Sequence, residues 1–382
     1  MKFKSLYMTI GVAMLFAGCS QDQGVNHDSE DIYLGFTLSV ADTGSGTRAE
    51  GDPFNGQDWG TDYTPSEVGT VFENTVKEVV PVLYPVDEAT GKLMTSVIAG
   101  EITSPALVKE EKDGLINYSI TGKLKTSFHP DVLKSGSYRL VVFVNPKSAV
   151  NNKNPETCDF QLAGAPSGNF DRIPMWGVAD VDLSNLEAGK TVFIKDKTGK
   201  DLNMPVLRSM AKIRIKLDHT DPDMVGRDVK LTKVTVHNLN DKGYIVPNSW
   251  SSLSSITSLG IPSTINALTS WKQGDFVAAG TSDIATESEI NFYLPEVVNT
   301  TGEREVVIRV NYKCDGLEEE KTGDIHLCLY GTDGKPVANA KLWNVVRNHI
   351  YEYTITGVAK NYSLNAQVCV KKWLYHRIPT EL

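Results

Sequence analysis

The sequence predicts an all-β protein made of β-sandwich domains in tandem, on three observations. Short segments alternate apolar and polar residues along most of the chain. Gly, Pro, Asn and Asp residues separate these segments, and no stretch sustains a helical period. Many short strands separated by turns are typical of sandwiches. Because the chain has 382 residues, two domains are expected.

The N-terminus has the features of an export signal. Lys2 and Lys4 precede a short apolar run over residues 8–17, which is too short to span a bilayer. The run ends in Leu-Phe-Ala-Gly followed by Cys19. We interpret residues 1–18 as a lipoprotein signal peptide and Cys19 as the lipidated residue, which would anchor the precursor without a membrane-spanning helix. An ordinary secretory signal followed by a chance cysteine is the alternative.

Residues 31–40 form the clearest predicted strand of the chain. Side chains alternate sides along a strand, so one face of this segment is entirely apolar. The residues on that face are Ile32, Leu34, Phe36, Leu38 and Val40. Such a face belongs in a hydrophobic core.

The loop that follows this strand carries one arginine. Residues 41–49 are small, polar and Gly-rich, a composition typical of accessible proteolytic sites. Cleavage between Arg48 and Ala49 would remove residues 19–48 as a propeptide and leave an apolar groove. Proteins with such a groove refill it with a strand from another molecule. The pattern therefore predicts an assembly subunit.

The remaining chain divides into two predicted domains, residues 49–205 and 206–382. The least strand-like segment between them is 196–201, which we expect to be a hinge. In the strand over residues 210–217, the alternation places Ile213 and Ile215 inward and Lys212, Arg214 and Lys216 outward.

The C-terminal segment, residues 364–382, is a candidate donor strand. Its apolar face consists of Leu364, Ala366, Val368 and Val370. Trp373 and Tyr375 fall on the other parity, which predicts a bulge near residues 371–372. A normal closing strand of the second domain is the alternative for this segment.

Composition and motifs argue against other classes of function. A net charge of −9 disfavours nucleic-acid binding. The seven histidines are dispersed, so no metal site, cofactor site or catalytic group is predicted. Cys314 and Cys328 flank a predicted hairpin, where either a disulfide or two buried thiols would fit.

Five features together resemble the fimbrillins, the type V pilins of Bacteroidales fimbriae. They are the lipobox ending at Cys19, the arginine loop at Arg48, residues 173–177 (Ile-Pro-Met-Trp-Gly), residues 207–213 (Leu-Arg-Ser-Met-Ala-Lys-Ile), and residues 345–357 followed by a strand containing Trp373. The resemblance implies two transthyretin-like or immunoglobulin-like β-sandwich domains in tandem.

The resemblance also implies a biology of export and assembly. The precursor would be a lipoprotein of the outer membrane, cut by an arginine-specific surface protease. The mature subunit would join other copies of itself and fimbrial accessory subunits in an adhesive fimbria, whose host or bacterial surface ligand the sequence does not identify. The rival is a monomeric surface lipoprotein that binds a glycan or host ligand through exposed aromatic residues. A hydrolase on a sandwich scaffold is a third, weaker reading.

Overall fold

The structure is a computed structural model, and it describes residues 31–40, 66–112, 115–146, 153–162, 172–247, 270–279, 289–316, 318–358 and 364–374. The prediction of an all-β protein is confirmed: the described residues form twenty strands and one short helix, α1 (Pro130–Ser135). No helix among them is long and apolar enough to cross a membrane.

The strands of the first half are β1 (Tyr33–Val40), β2 (Ser66–Val68), β3 (Val79–Pro85), β4 (Gly100–Lys112), β5 (Leu115–Lys125), β6 (Tyr138–Val144), β7 (Asp159–Gln161), β8 (Met175–Asp182), β9 (Thr191–Phe193), β10 (Lys195–Asp196) and β11 (Asn203–Arg208). The strands of the second half are β12 (Ala211–Leu217), β13 (Val229–Asn240), β14 (Lys242–Tyr244), β15 (Trp271–Ala279), β16 (Glu289–Leu294), β17 (Val307–Cys314), β18 (Lys321–His326), β19 (His349–Val358) and β20 (Leu364–Leu374).

The first half is one sheet that closes on itself. Its strands follow the order β8-β11-β1-β5-β4-β3-β6, and β6 pairs back onto β8. This ring of seven strands differs from the two separate sheets of an open sandwich. Strands such as β6 are buried on both faces, because the ring encloses one face and other chain segments cover the other.

The second half contains two larger sheets. One has the strand order β16-β12-β19-β20-β2, and the other has the order β15-β13-β17-β18. Leu364 of β20 packs against Gly323 of β18, so these two sheets meet at that point. A short ribbon of β7 and β14 joins the halves.

The change from one half to the other occurs later than the sequence predicted. Residues 196–201 are not a hinge between domains, because β10 pairs with β8 and the chain then returns to the first sheet as β11. The predicted boundary at Pro205 lies inside β11. The chain passes into the second half between Arg208 and Ala211.

Candidate functional site

The strand β1 is an interior strand of the closed sheet. On one side it pairs antiparallel with β5 over seven residue pairs, from Tyr33 opposite Lys123 to Ser39 opposite Asn117. On the other side it runs parallel to β9 in its first part and parallel to β11 in its second part. Both edges of β1 are therefore hydrogen-bonded along most of their length.

The apolar face of β1 lies in the core. Ile32, Leu34, Phe36, Leu38 and Val40 are each between 0% and 6% exposed. Burying a side chain of this kind is worth roughly 1.5–3 kcal/mol. Removal of β1 would expose this core. The main-chain groups of β5, β9 and β11 that pair with β1 would then have no partners.

The outer face of β1 is closed at one position by an aromatic ring. A Cβ placed on Gly35 would lie 3.2 Å from two atoms of the Phe193 ring, so the ring lies directly over this glycine. Phe193 itself is 42% exposed. The groove that holds β1 is therefore apolar on its core side. Neighbouring strands offer main-chain hydrogen bonds along both of its edges, and the exposed Phe193 ring covers part of its outer side.

The candidate donor segment lies in its own half. From Leu364 to Lys372, β20 pairs antiparallel with β19 over nine residue pairs. Ala366 is buried, and its N–H donates to the Gly334 carbonyl at 2.9 Å. Val368 and Val370 lie opposite Tyr353 and Tyr351 in this pairing. In this arrangement the segment is the closing strand of the second half.

The predicted bulge at residues 371–372 is absent. Lys371 and Lys372 pair regularly with Ile350 and His349, and the irregularity falls on the partner strand between Ile355 and Gly357. The end of β20 has a second neighbour as well. Residues 372–374 pair in parallel with β2.

The segment that follows β2 carries a buried ion pair. The Glu73 carboxylate lies 2.9 Å from the Lys212 ammonium, and both side chains are at most 2% exposed. The Tyr293 hydroxyl donates to the same carboxylate at 2.6 Å. Burial alone would raise the pKa of Glu73, but Lys212 and the hydrogen bonds from Tyr293 and the Thr70 N–H together hold that pKa below its usual value.

Arg208 extends this polar cluster toward the first half. It is fully buried, and its Nε donates to the Glu73 carbonyl at 3.2 Å. Other donors of the guanidinium reach the side-chain oxygens of Asn74 and Asn348. Burial lowers the pKa of Arg208 to about 10, so the guanidinium is still charged at neutral pH.

Three of the five features that carry the fimbrillin resemblance meet at this cluster. The Ser209 N–H donates to the Pro174 carbonyl, and the Asn348 N–H donates to the Met210 carbonyl, each at 2.8 Å. Residues 173–177, 207–213 and 345–357 therefore form the junction between the two halves.

One prediction about this region is wrong. Lys212 and Arg214 do lie on the other face of β12 from Ile213 and Ile215. That face is not exposed to solvent, because the two residues are 1% and 4% exposed. Remote acidic side chains cover that face, with Glu73 on Lys212 and Glu352 on Arg214. The sequence shows the alternation along this strand, but it does not show that the segments carrying Glu73 and Glu352 pack on the strand's basic face.

The remaining predicted residues have varied placements. Cys19, Arg48 and Ala49 lie outside the described residues. Cys314 and Cys328 are buried free thiols, so they form no disulfide. Trp176 is 1% exposed and fills the core. Among the described residues, no group of three or more His, Cys, Asp and Glu side chains is arranged to hold a metal ion.

Comparisons with known proteins give structural matches alone. No protein-family model matches the chain, and a search of curated proteins finds no match. Its structural neighbours are Bacteroidales fimbrial proteins. The tip fimbrial protein Mfa3 of Porphyromonas gingivalis, solved with a C-terminal truncation, is 14% identical with a TM-score of 0.47, over 90% of this chain and 100% of that one.

Two further neighbours have similarly low identity. A fimbrial assembly protein of Parabacteroides distasonis is 10% identical with a TM-score of 0.47, over 90% of this chain and 97% of that one. The fimbrial anchor protein Mfa2 of Porphyromonas gingivalis is 9% identical with a TM-score of 0.30, over 91% of this chain and 100% of that one.

Proposed function

We propose that this protein is a structural subunit of adhesive cell-surface fimbriae and that it polymerises by donor-strand exchange. In this proposal β1 is cut away after Arg48, and the C-terminal segment of a neighbouring copy fills the vacated groove. The two halves then act as the two transthyretin-like units that the sequence resemblance implies.

The position of β1 carries this proposal. It is the first described strand, the segment that follows it in the sequence contains Arg48, and it is interior to the sheet. An N-terminal strand at a sheet edge could be lost without consequence. Loss of an interior strand opens the core and two hydrogen-bonding edges, which a new strand can satisfy.

The groove dictates how an incoming strand must lie. It would run antiparallel to β5 and parallel to β9 and β11, as β1 does. Its apolar residues would have to fall at every second position to enter the pockets of residues 32–40. The face made of Leu364, Ala366, Val368 and Val370 has that spacing. A slip of one residue would turn this face to solvent, so the pattern also sets the register.

Export and processing complete the proposal. The precursor would be held in the outer membrane by lipid on Cys19 and cut on the surface by an arginine-specific protease. Its partners in the fimbria would be other copies of itself and accessory subunits. Cys19→Ala would abolish lipid labelling and impair delivery to the surface; unchanged labelling would contradict the role of Cys19.

Blocking the cut tests the proposal as a whole. Arg48→Ala should accumulate full-length lipoprotein and abolish polymers, because β1 then stays in its groove. N-terminal sequencing of the wild-type surface form should begin at Ala49. Arg48→Lys is the matched control for protease specificity: it keeps the positive charge and should also stay uncut. Polymers of normal length from Arg48→Ala would contradict the proposal that assembly requires the removal of β1. A wild-type protein that stays monomeric, lipid-bound and intact at Arg48 would favour the monomeric ligand-binding lipoprotein.

A further inference from the structure

We propose that residues 66–76, which we name the strap, hold the C-terminal strand β20 in its own sheet. The strap consists of β2 and residues 69–76 of the segment that connects it to β3. Only the release of β20 for a neighbouring subunit rests on the proposed exchange. The retention of β20 by the strap is a property of the single chain.

The pairing of β20 is unequal on its two sides. One side is covered by β19 along nine residue pairs. Among the described strands, the other side is covered by β2 alone, over residues 372–374. A strand with one long partner opens most easily from an end. The strap closes the end of β20 that leads to the chain terminus.

The strap is fixed to the body of the protein by buried polar contacts. Glu73 binds Lys212 of β12 and Tyr293 of β16, and its carbonyl accepts a hydrogen bond from Arg208 of β11. The Val76 N–H donates to the Tyr118 hydroxyl of β5 at 3.1 Å. These contacts fix the position of the chain immediately after β2, so β2 cannot move away from β20 freely.

The internal hydrogen bonds of the strap keep it folded as a compact turn. The Thr70 N–H donates to the Glu73 carboxylate at 2.7 Å, and the Asn74 side-chain amide donates to the Gly69 carbonyl at 2.8 Å. A buried charge without its partner is strongly unfavourable, so the Glu73–Lys212 pair resists separation. The strap is therefore anchored by this ion pair together with the hydrogen bonds of Glu73 and Val76.

The same contacts connect the strap to the groove. Tyr118 lies opposite Leu38 in the pairing of β5 with β1, and Arg208 ends the strand β11 that runs beside the second part of β1. The strap thus touches both strands that flank the second part of β1, as well as β20. Two of the residues that anchor the strap beside β20 therefore belong to strands that line the groove of β1.

The test uses the uncleaved, full-length chain. Ser66→Pro/Glu67→Pro removes two consecutive N–H groups of β2, so at least one donor toward β20 is lost whichever way the strand faces. Ser66→Ala/Glu67→Ala is the matched control, because it changes the same side chains and keeps both N–H groups. Glu73→Gln removes the charge at the other end of the strap and nearly preserves the size of the side chain.

Hydrogen exchange and trypsin cleavage after Lys371 and Lys372 report on β20 directly. We expect the proline variant and Glu73→Gln to raise the exchange of residues 372–374 by roughly tenfold or more, with faster cleavage there. The alanine control should match the wild type. Amides of β13 and β17 measure global opening and should stay protected. Unchanged exchange and cleavage in both strap variants would overturn the inference.

Polymer growth after arginine cleavage separates this inference from the proposed function. Faster growth of the strap variants than of the alanine control supports both. Equal growth, with unchanged exchange at residues 372–374, overturns the strap and leaves the proposed function intact. If no protein polymerises, the proposed function fails, and the exchange data from the single chain alone decide whether the strap holds β20.

Discussion

The strands β1 and β20 are both amphipathic, yet the fold holds them in different ways. β1 has hydrogen-bonded neighbours on both sides, and the five apolar residues between positions 32 and 40 that face the core are almost fully buried. β20 has one long neighbour and, among the described strands, only the short β2 on its other side. A strand held like β1 is not released by fraying, whereas a strand held like β20 can open from its end. In the proposed exchange, the release of β1 would therefore require cleavage of the chain, whereas the release of β20 would require only the loss of its pairing with β2.

The largest expected effect comes from truncating the centre of β1. Phe36→Ala should lower the free energy of unfolding by about 3–5 kcal/mol, because it leaves a cavity in a closed sheet. Chemical denaturation of the uncleaved chain measures this loss. If Phe36→Ala costs less than Leu364→Ala, a partly buried position in β20, the contrast between the two strands is wrong.

Breaking the buried ion pair should cost nearly as much. Lys212→Met leaves the Glu73 carboxylate buried without its cation, and breaking such pairs typically costs about 3–5 kcal/mol. Lys123→Met is the matched control. It removes a lysine that pairs with Asp31 at a half-exposed site, where ion pairs contribute about 0–1 kcal/mol. Equal losses from the two variants would show that burial does not distinguish these pairs.

The contribution of Glu73 to the free energy of unfolding should decrease in acid. The folded protein holds the pKa of Glu73 below its ordinary value of 4.5, so this group stabilises the fold fully above that pH. Its contribution declines as the pH falls from about 4.5 through the lower folded pKa. Stability measured against pH should be flatter in Glu73→Gln than in the wild type over this window. Parallel curves would contradict the assignment.

The smallest effect is expected on the outer face of β1. Gly35→Ala brings a Cβ to 3.2 Å from the Phe193 ring, which must shift by a few tenths of an ångström. Because Phe193 is 42% exposed, the ring has room to move, and we expect a loss of about 1 kcal/mol or less. A loss as large as that of Phe36→Ala would mean that both faces of β1 are equally constrained.

Local patterns predicted much of the architecture. The alternation over residues 32–40 identified the side chains that are buried, since strand period depends only on neighbouring residues. The helix α1 escaped prediction because six residues are too few to show a helical period.

Contacts between residues far apart in the sequence could not be predicted. The alternating basic residues Lys212 and Arg214 read as a solvent face, because their partners Glu73 and Glu352 lie far away along the chain. The strap was missed for the same reason: β2 has three residues and pairs with the opposite end of the sequence. Basic residues on an otherwise apolar strand were the one available signal of a buried acidic partner.

Crosslinking between subunits tests the central claim most directly. Ser119 of β5 lies opposite Thr37 on the outer face of β1, and Gln367 of β20 is exposed. In assembled material, Ser119→Cys and Gln367→Cys carried on the same chain should form disulfides between neighbouring copies, seen as a ladder on a non-reducing gel, while either single variant should not. No ladder in material that has polymerised would contradict the claim, because β20 would then still pair with β19 and β2 in its own sheet.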